Sequence, residues 1–307
     1  MTELVVCSGK GGTGKTSVVA SMAALARDFV MADCDVDAAN LHLVLTPKKK
    51  QTEPFIAGHI AHIRAEDCTG CGECYSLCQF SSIDRIEDDI NGPTFRVDPV
   101  ACEGCGVCVH FCPAGAIDFP DSQCGEWSLS QTRFGTLVYA ELGVGAENSG
   151  KLVSLVREQA RLAAQRAGTN LILSDGPPGI GCPVTAALTG ADLTLLVTEP
   201  SLSGLHDLQR VLDLADHFGV PPLVCINKFD LSPNLSRKIE GYCEERGVPV
   251  IGRIPYEPLV NDAQIAGLSL VEFAPDSEAA RAITAIWHHV EHHVAGLTGN
   301  GKNDSGH

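Results

Sequence analysis

Two sets of residues in this 307-residue chain combine type and spacing in ways that do chemistry. The first is Gly9-Lys10-Gly11-Gly12-Thr13-Gly14-Lys15-Thr16, with Ser17 following. Glycines at these positions let backbone N–H groups turn inward around a phosphate, and a helix starting there adds positive potential. Lys15 then reaches the β- and γ-phosphates, and the Thr16 hydroxyl takes Mg²⁺. The second set is eight of the 14 cysteines, in two runs: Cys68, Cys71, Cys74, Cys78 and Cys102, Cys105, Cys108, Cys112. Three thiolates at three-residue spacing wrap one corner of a metal–sulfur cubane, while the fourth points away. Zinc is the bland alternative, but structural zinc sites usually pair two cysteines of one knuckle with two ligands farther off.

The elements that must position these groups follow from periodicity. Residues 3–8 read as a short buried strand, and residues 16–27 read as a helix with Val18, Val19, Met22 and Leu25 apolar. A second apolar segment, 29–32, ends in Asp33-Cys34-Asp35-Val36-Asp37, which puts carboxylates at the strand end where open α/β sheets bind ligands. From 62 to 124 this rhythm stops. The two cysteine runs form an internal duplication of roughly 30 residues, each with an isoleucine, Ile83 or Ile117, five residues after its last cysteine. The α/β pattern then resumes, with strands over 135–140, 170–174, 193–198 and 223–227 and helices over 152–165, 204–218 and 277–294. The expected fold is an α/β P-loop NTPase, a mainly parallel sheet covered by helices on both faces, interrupted by a small α+β insert. Its divisions are 1–61 and 125–295 for the split nucleotide domain, 62–124 for the insert and 296–307 for a disordered tail.

The lysine before the glycine pair makes the first motif more specific. Gly9 to Thr16 resembles the deviant Walker A loop of the family that includes MinD, ParA, the nitrogenase iron protein and Mrp-type ATPases. That resemblance implies a nucleotide-sandwich homodimer in which Lys10 reaches the partner subunit's ATP, in the manner of an arginine finger. Asp33-Cys34-Asp35 with Asn40 resembles the family's switch I, where Asp35 orients the attacking water. Residues 171–179 resemble Walker B running into switch II, with Asp175 near Mg²⁺ beside Thr16. Both aspartates have the simpler reading of strand-end caps. Asn227-Lys228-Phe229-Asp230 matches the guanine-reading motif of many GTPases, whereas the family resemblance assigns Asn227 to adenine. ATP is the expected nucleotide and GTP the minor alternative. The implied catalytic groups are Lys10, Lys15 and Asp35.

The cysteine runs resemble those of bacterial two-cluster ferredoxins. The resemblance implies two [4Fe-4S] clusters with crossed ligation: Cys68, Cys71, Cys74 and Cys112 for one, and Cys102, Cys105, Cys108 and Cys78 for the other. Gln79 stands where the motif has proline after the fourth cysteine, while Pro113 keeps it. Of the other six cysteines, Cys7, Cys34 and Cys225 read as small core residues, and Cys124 and Cys243 carry little signal. Cys182 directly follows Gly179-Ile180-Gly181 and is a candidate additional thiol site, though it lacks the CxxC pair of Mrp-type carriers.

Composition sets the outer bounds. A formal net charge of −16 argues against a broad nucleic-acid surface, and Lys48-Lys49-Lys50 is the one basic run, read as a solvated loop. With 44% apolar residues, no apolar run of membrane-spanning length and no basic region before the first apolar stretch, the expectation is a soluble, cytoplasmic protein. His288, His289, His292 and His293 stand at chelating i, i+4 spacing but read first as a solvated helix face, and that helix lacks the basic face of a membrane anchor. Three functions fit: an ATPase coupled to electron transfer with a redox or client protein, an ATP-gated carrier of an Fe–S cluster or metal, and a redox-sensing or positioning switch.

Overall fold

The computed structural model describes residues 1–87, 92–143 and 148–300. The chain divides into two compact units. Unit 1 comprises Met1–Thr52, Trp127–Glu141 and Ser149–His307; unit 2 comprises Glu53–Glu126 and Leu142–Asn148.

In chain order, unit 1 opens with β1 (Thr2–Ser8), α1 (Lys15–Leu25), β2 (Phe29–Asp33) and α2 (Leu41–Leu45). Strand β3 (Lys49–His59) leads into unit 2, which holds β4 (His62–Ile63), α3 (Glu73–Leu77), β5 (Ile83–Ile86), β6 (Thr94–Val97), α4 (Val107–His110) and β7 (Ile117–Asp118). Strand β8 (Asp121–Gln131) leads back, followed by β9 (Thr136–Leu142), α5 (Ser149–Ala167), β10 (Leu171–Pro178) and α6 (Cys182–Leu188). The chain continues through β11 (Leu193–Thr198), α7 (Leu202–Phe218), β12 (Pro222–Asn227), α8 (Pro233–Glu245) and β13 (Val250–Ile254). It closes with α9 (Leu259–Ile265), α10 (Leu270–Phe273) and α11 (Glu278–Asn300).

The large sheet runs β13-β12-β11-β1-β10-β2-β9-β8-β3, and the seven strands from β13 to β9 pair in parallel. Every residue of β1, β2 and β11 is buried, the pattern required when helices cover both faces. Alternation along β1 divides those faces. Leu4 and Val6 join Val19 and Met22 of α1 and Ile283 and Trp287 of α11 in one core, while Glu3 on the other face pairs with Arg157 of α5 at 2.6 Å. The phosphate loop and the Asp33–Asp37 segment thus leave the C-terminal ends of adjacent parts of one parallel sheet.

Unit 2 has a different construction. Its β4–β7 and β5–β6 pairs are antiparallel two-stranded ribbons. The duplication is visible in the backbone: Gly70 and Gly72 in one run and Gly104 and Gly106 in the other all have positive φ, from 61° to 81°. A short helix follows each, and Ile83 and Ile117 occupy the shared core.

Two local expectations change. Lys49 and Lys50 do not lie in a loop: they open β3, which is an edge strand. The last helix does not stop at 294 but runs to Asn300 through Gly296 and Gly299, because a helical glycine costs only about 1 kcal/mol and does not by itself end a helix. The remainder of the expected tail, 301–307, lies outside the described residues.

Candidate functional site

In unit 1 a cavity of about 670 Å³, large enough for a nucleotide, opens at the C-terminal edge of the sheet. Gly11 to Ser17 line it, together with Asp35, Asn40, Asn227 and Lys228. Gly9, Lys10 and Asp175 stand outside this lining. Gly12 and Gly14 have φ of 80° and 89°, the left-handed backbone that aims successive N–H groups inward. Gly9 packs on Asp207 of α7, where a Cβ would collide with main chain.

Lys15 is buried and forms the electrostatic centre. Its Nζ lies 2.5 Å from Asp175 Oδ1 and 3.7 Å from Asp35 Oδ2. Burial favours neutral Lys15, but Asp175 and then Asp35 outweigh that effect and raise its pKa. Asp33, beneath them, is fully buried and pushed up to about 8 by burial and by the Asp175 charge. Its carboxylate accepts N–H bonds from Asp35 and Leu41, both at 3.1 Å, and so pins both ends of the loop that lines the cavity. Burial also raises Asp35. Asp175 Oδ2 is buried with no hydrogen-bond partner, an acceptor that suits the water shell of a cation. The site therefore holds one buried cation against three carboxylates and fits Mg²⁺ with a phosphate chain.

Lys10 points elsewhere. Its Nζ pairs with Glu199 at 2.6 Å and donates to Ser201 Oγ at 3.2 Å and Ser203 Oγ at 3.0 Å. Lys228, at φ 55°, also reaches Glu199 at 3.2 Å and donates to Gly12 O at 2.9 Å. Burial pushes Glu199 up, but the two ammonium groups bring it below its usual value. Asn227 Nδ2 donates to Thr13 O at 2.7 Å, bracing the phosphate loop from β12. Asp230 Oδ1 accepts from Tyr256 N at 2.7 Å, which places Tyr256 on the cavity wall.

Unit 2 contains two smaller cavities. One is lined by Cys68, Cys71, Cys74 and Cys112, the other by Cys102, Cys105, Cys108 and Cys78. Each draws three thiols from one run and the fourth from the other. Burial pushes Cys74 up to about 11 and raises Cys108. At Cys78 burial acts upward too, but the Ser82 hydroxyl at 3.2 Å and the Ser82, Phe80 and Ser81 N–H groups bring the thiol below its usual value. Ala116 N donates to Cys112 Sγ at 3.4 Å. Among the described residues no three His, Cys, Asp or Glu side chains gather as a single metal ion requires. Two chambers, each ringed by four thiols with N–H donors to sulfur, fit an iron–sulfur cubane better than one zinc ion.

The remaining candidates separate. Cys182 is exposed at the start of α6, Cys7 and Cys225 are buried strand thiols, and Cys34 is buried just after β2. His288, His289, His292 and His293 are exposed on α11, with His288 bonded to Glu291 and His293 to His289 O.

Known proteins share the nucleotide-binding fold. The family profile described as CbiA, the CobQ/CobB/MinD/ParA nucleotide binding domain, matches residues 4–271. The chain belongs to this family. It is 36% identical over 229 residues to an uncharacterized protein of Methanocaldococcus jannaschii, covering 74% of this chain and 78% of that one. It is also 28% identical over 137 residues to the cytosolic Fe-S cluster assembly factor NBP35 of Eremothecium gossypii, 39% of this chain and 40% of that protein. Its fold is that of the cell division ATPase MinD of Pyrococcus furiosus, with a TM-score of 0.55 at 20% identity over 94% of this chain and 98% of that one. MinD of Pyrococcus horikoshii, solved with Mg-ADP, gives the same TM-score at 19% identity, covering 94% and 96%.

For a MinD/ParA family chain, the sequence leaves Glu199 unmarked and gives Asp33 and Lys228 no separate role at the site. Glu199 was legible as an acid just past the C-terminal end of β11, on the ligand-binding edge. Lys228 and Asp33 stood in motifs, but their contacts did not show, because one depends on a left-handed backbone and the other on two N–H bonds that only the folded loop supplies.

Proposed function

We propose that the protein binds and hydrolyses ATP in a nucleotide-sandwich homodimer and couples that cycle to electron transfer through two [4Fe-4S] clusters to a partner protein. Lys15 and the Gly11–Gly14 amides take the phosphates, and Thr16 with Asp175 holds Mg²⁺. Asp35, freed from Lys15 when phosphate takes that charge, orients the attacking water. Lys10 must leave Glu199, Ser201 and Ser203 before it can serve the partner's nucleotide, so the single chain is held inactive. Asp230 is already engaged by Tyr256 N, which favours adenine over a guanine-reading role for that carboxylate.

The observation that carries the cluster reading is the crossed lining of the two cavities. Bound [4Fe-4S] cubanes supply one-electron chemistry. The thiolates hold them, the N–H donors at Cys78 and Cys112 tune them, and the apolar core around Ile63, Ile83, Phe95 and Ile117 limits water access. Anaerobically purified protein should be brown, with about eight irons and eight acid-labile sulfides per chain. Cys78→Ser should lose the signals of the cluster held by Cys102, Cys105 and Cys108. Loss confined to the other cluster, or stoichiometric zinc without sulfide, contradicts the assignment.

A second reading has one observation in its favour. The partial similarity to an Fe-S cluster assembly factor supports an ATP-gated carrier that delivers a cluster to an acceptor. Transfer of labelled iron to an apo-acceptor, dependent on ATP, would select it over electron transfer.

A further inference from the structure

Arg133 lies in the tight turn between β8 and β9, far in sequence from every group used above. Its guanidinium donates to both oxygens of Glu272, at 2.7 Å each, to Val44 O at 3.2 Å, Leu45 O at 2.9 Å, Thr46 Oγ1 at 3.2 Å and Gly267 O at 3.1 Å. Two segments distant in sequence, 44–46 and 267–272, meet on one side chain.

The position of those segments gives the contacts their meaning. Val44 and Leu45 are the last residues of α2, whose final carbonyls have no partner inside the helix. A five-residue helix cannot hold itself and takes its position from what it is bonded to. At its other end α2 follows Asn40 on the nucleotide cavity, and Leu41 N donates to Asp33. Thus α2 hangs between the loop that meets nucleotide and the Arg133 guanidinium.

The same hub anchors two of the strands through which the chain passes between unit 1 and unit 2. Thr46, with φ of 44°, turns the chain from α2 towards β3, and Lys48 N donates to Gln131 O, the last residue of β8, at 2.9 Å. Thr52 Oγ1 and Ser128 Oγ join β3 to β8 at 2.9 Å. Thr132 Oγ1 closes the turn by donating to Gly135 O at 2.8 Å and accepting from Gly135 N at 3.2 Å.

We propose that Arg133 is a positioning residue that passes the state of the Asp35–Asn40 loop, through α2, to the strands β3 and β8 leading to the cysteine unit. The proposal rests on the reading that nucleotide and the cysteine unit are coupled. It adds the residue through which the coupling runs. A shift of α2 on phosphate binding must either drag the hub or break its bonds. Lysine cannot replace arginine there, because an ammonium offers three donors without the planar fork that spans Glu272 and the α2 carbonyls.

Hydrogen exchange of the full chain, purified anaerobically, tests this without and with Mg²⁺ and the non-hydrolysable analogue AMPPNP. In the unaltered protein AMPPNP should change exchange of the 53–59 and 121–126 amides by about fivefold or more, the lower end of ordinary allosteric couplings. Arg133→Lys and Glu272→Gln should lose most of that response while binding AMPPNP and hydrolysing ATP at the unaltered rate. A full response in Arg133→Lys and Arg133→Ala overturns the role of Arg133 and leaves the coupling standing. No response in the unaltered protein overturns both. Loss of hydrolysis together with the response would make Arg133 a support of the nucleotide site and would also overturn the proposal. Should Arg133→Ala fail to fold, Arg133→Lys and Glu272→Gln decide the matter.

Discussion

The nucleotide cavity and the cysteine unit are both built to receive something, but they prepare for it in opposite ways. In the cavity the protein's own charges stand in for the ligand: Lys15 is held by Asp175 and Asp35, and Lys10 by Glu199. The surrounding fold is complete without nucleotide, since a continuous apolar core runs from α1 through β1 to α11. In the cysteine unit the buried apolar core is small, formed by Ala61, Ile63, Cys74, Ile83, Phe95 and Ile117, and five further cysteines pack against it. There the prospective ligands are themselves the core. On the proposed function, one unit would use its ligand to switch and the other would use it to fold.

The largest effect that could break this contrast is removal of iron and sulfur. Because a small metal-bound domain draws its folding free energy from the bound group, chelation should abolish exchange protection throughout unit 2 while unit 1 keeps its protection and its affinity for ATP. Unit 2 amides that stay protected after complete iron removal would show that its apolar core suffices.

Next in size are the two lysines of the phosphate loop, which separate ligand binding from switching. Lys15→Ala should weaken ATP binding itself by roughly 10- to 150-fold, the worth of one charged hydrogen bond, and leave Asp175 and Asp35 facing each other uncompensated. Lys10→Ala should bind ATP normally as a monomer but lose hydrolysis by about 10³-fold or more and lose ATP-dependent dimerisation. Isothermal titration and steady-state turnover measure the two. Full turnover by Lys10→Ala would remove the in-trans role.

The smallest expected effect is on pH dependence. Asp33 has its pKa raised to about 8 in the folded, nucleotide-free chain, so its contribution to stability is fully present below its ordinary value near 3.8. It is lost progressively as pH rises through about 8. Thermal melts between pH 5 and 9 should therefore fall on the alkaline side, and Asp33→Asn should flatten that slope. An unchanged slope would mean that the N–H bonds from Asp35 and Leu41 already keep Asp33 ionised.

Much of this was legible in the chain itself, and the exceptions have physical causes. The phosphate loop, the carboxylate segment and the parallel strands were readable because glycine, lysine and unbroken apolar runs admit few other uses; residues 193–198 were read as the strand that the structure shows. Strands β3 and β8 were missed. Their burial alternates or is exposed, as on β8 with Cys124, Ser128 and Ser130 buried between open positions, and their partners are distant in sequence. Lys10 was read as a special lysine, but its contacts with Glu199, Ser201 and Ser203 join residues about 190 apart, which no local pattern reveals. The hub at Arg133 was invisible for the same reason: an arginine in a turn looks like any solvated charge until helix α2 and the 267–272 segment close around it.

The proposed function requires that the two units exchange free energy. The most direct measurement is the reduction potential of the clusters in Asp35→Ala protein, which should bind ATP without hydrolysing it, recorded with and without Mg-ATP. A coupling of about fivefold or more corresponds to a shift of at least about 40 mV for a one-electron couple, at 59 mV per tenfold, and linkage requires ATP affinity to change by the same factor between oxidised and reduced protein. That shift, with matching affinities, is the predicted result. Identical potentials and identical affinities, in dimer and monomer alike, would contradict the account and leave the two units energetically independent.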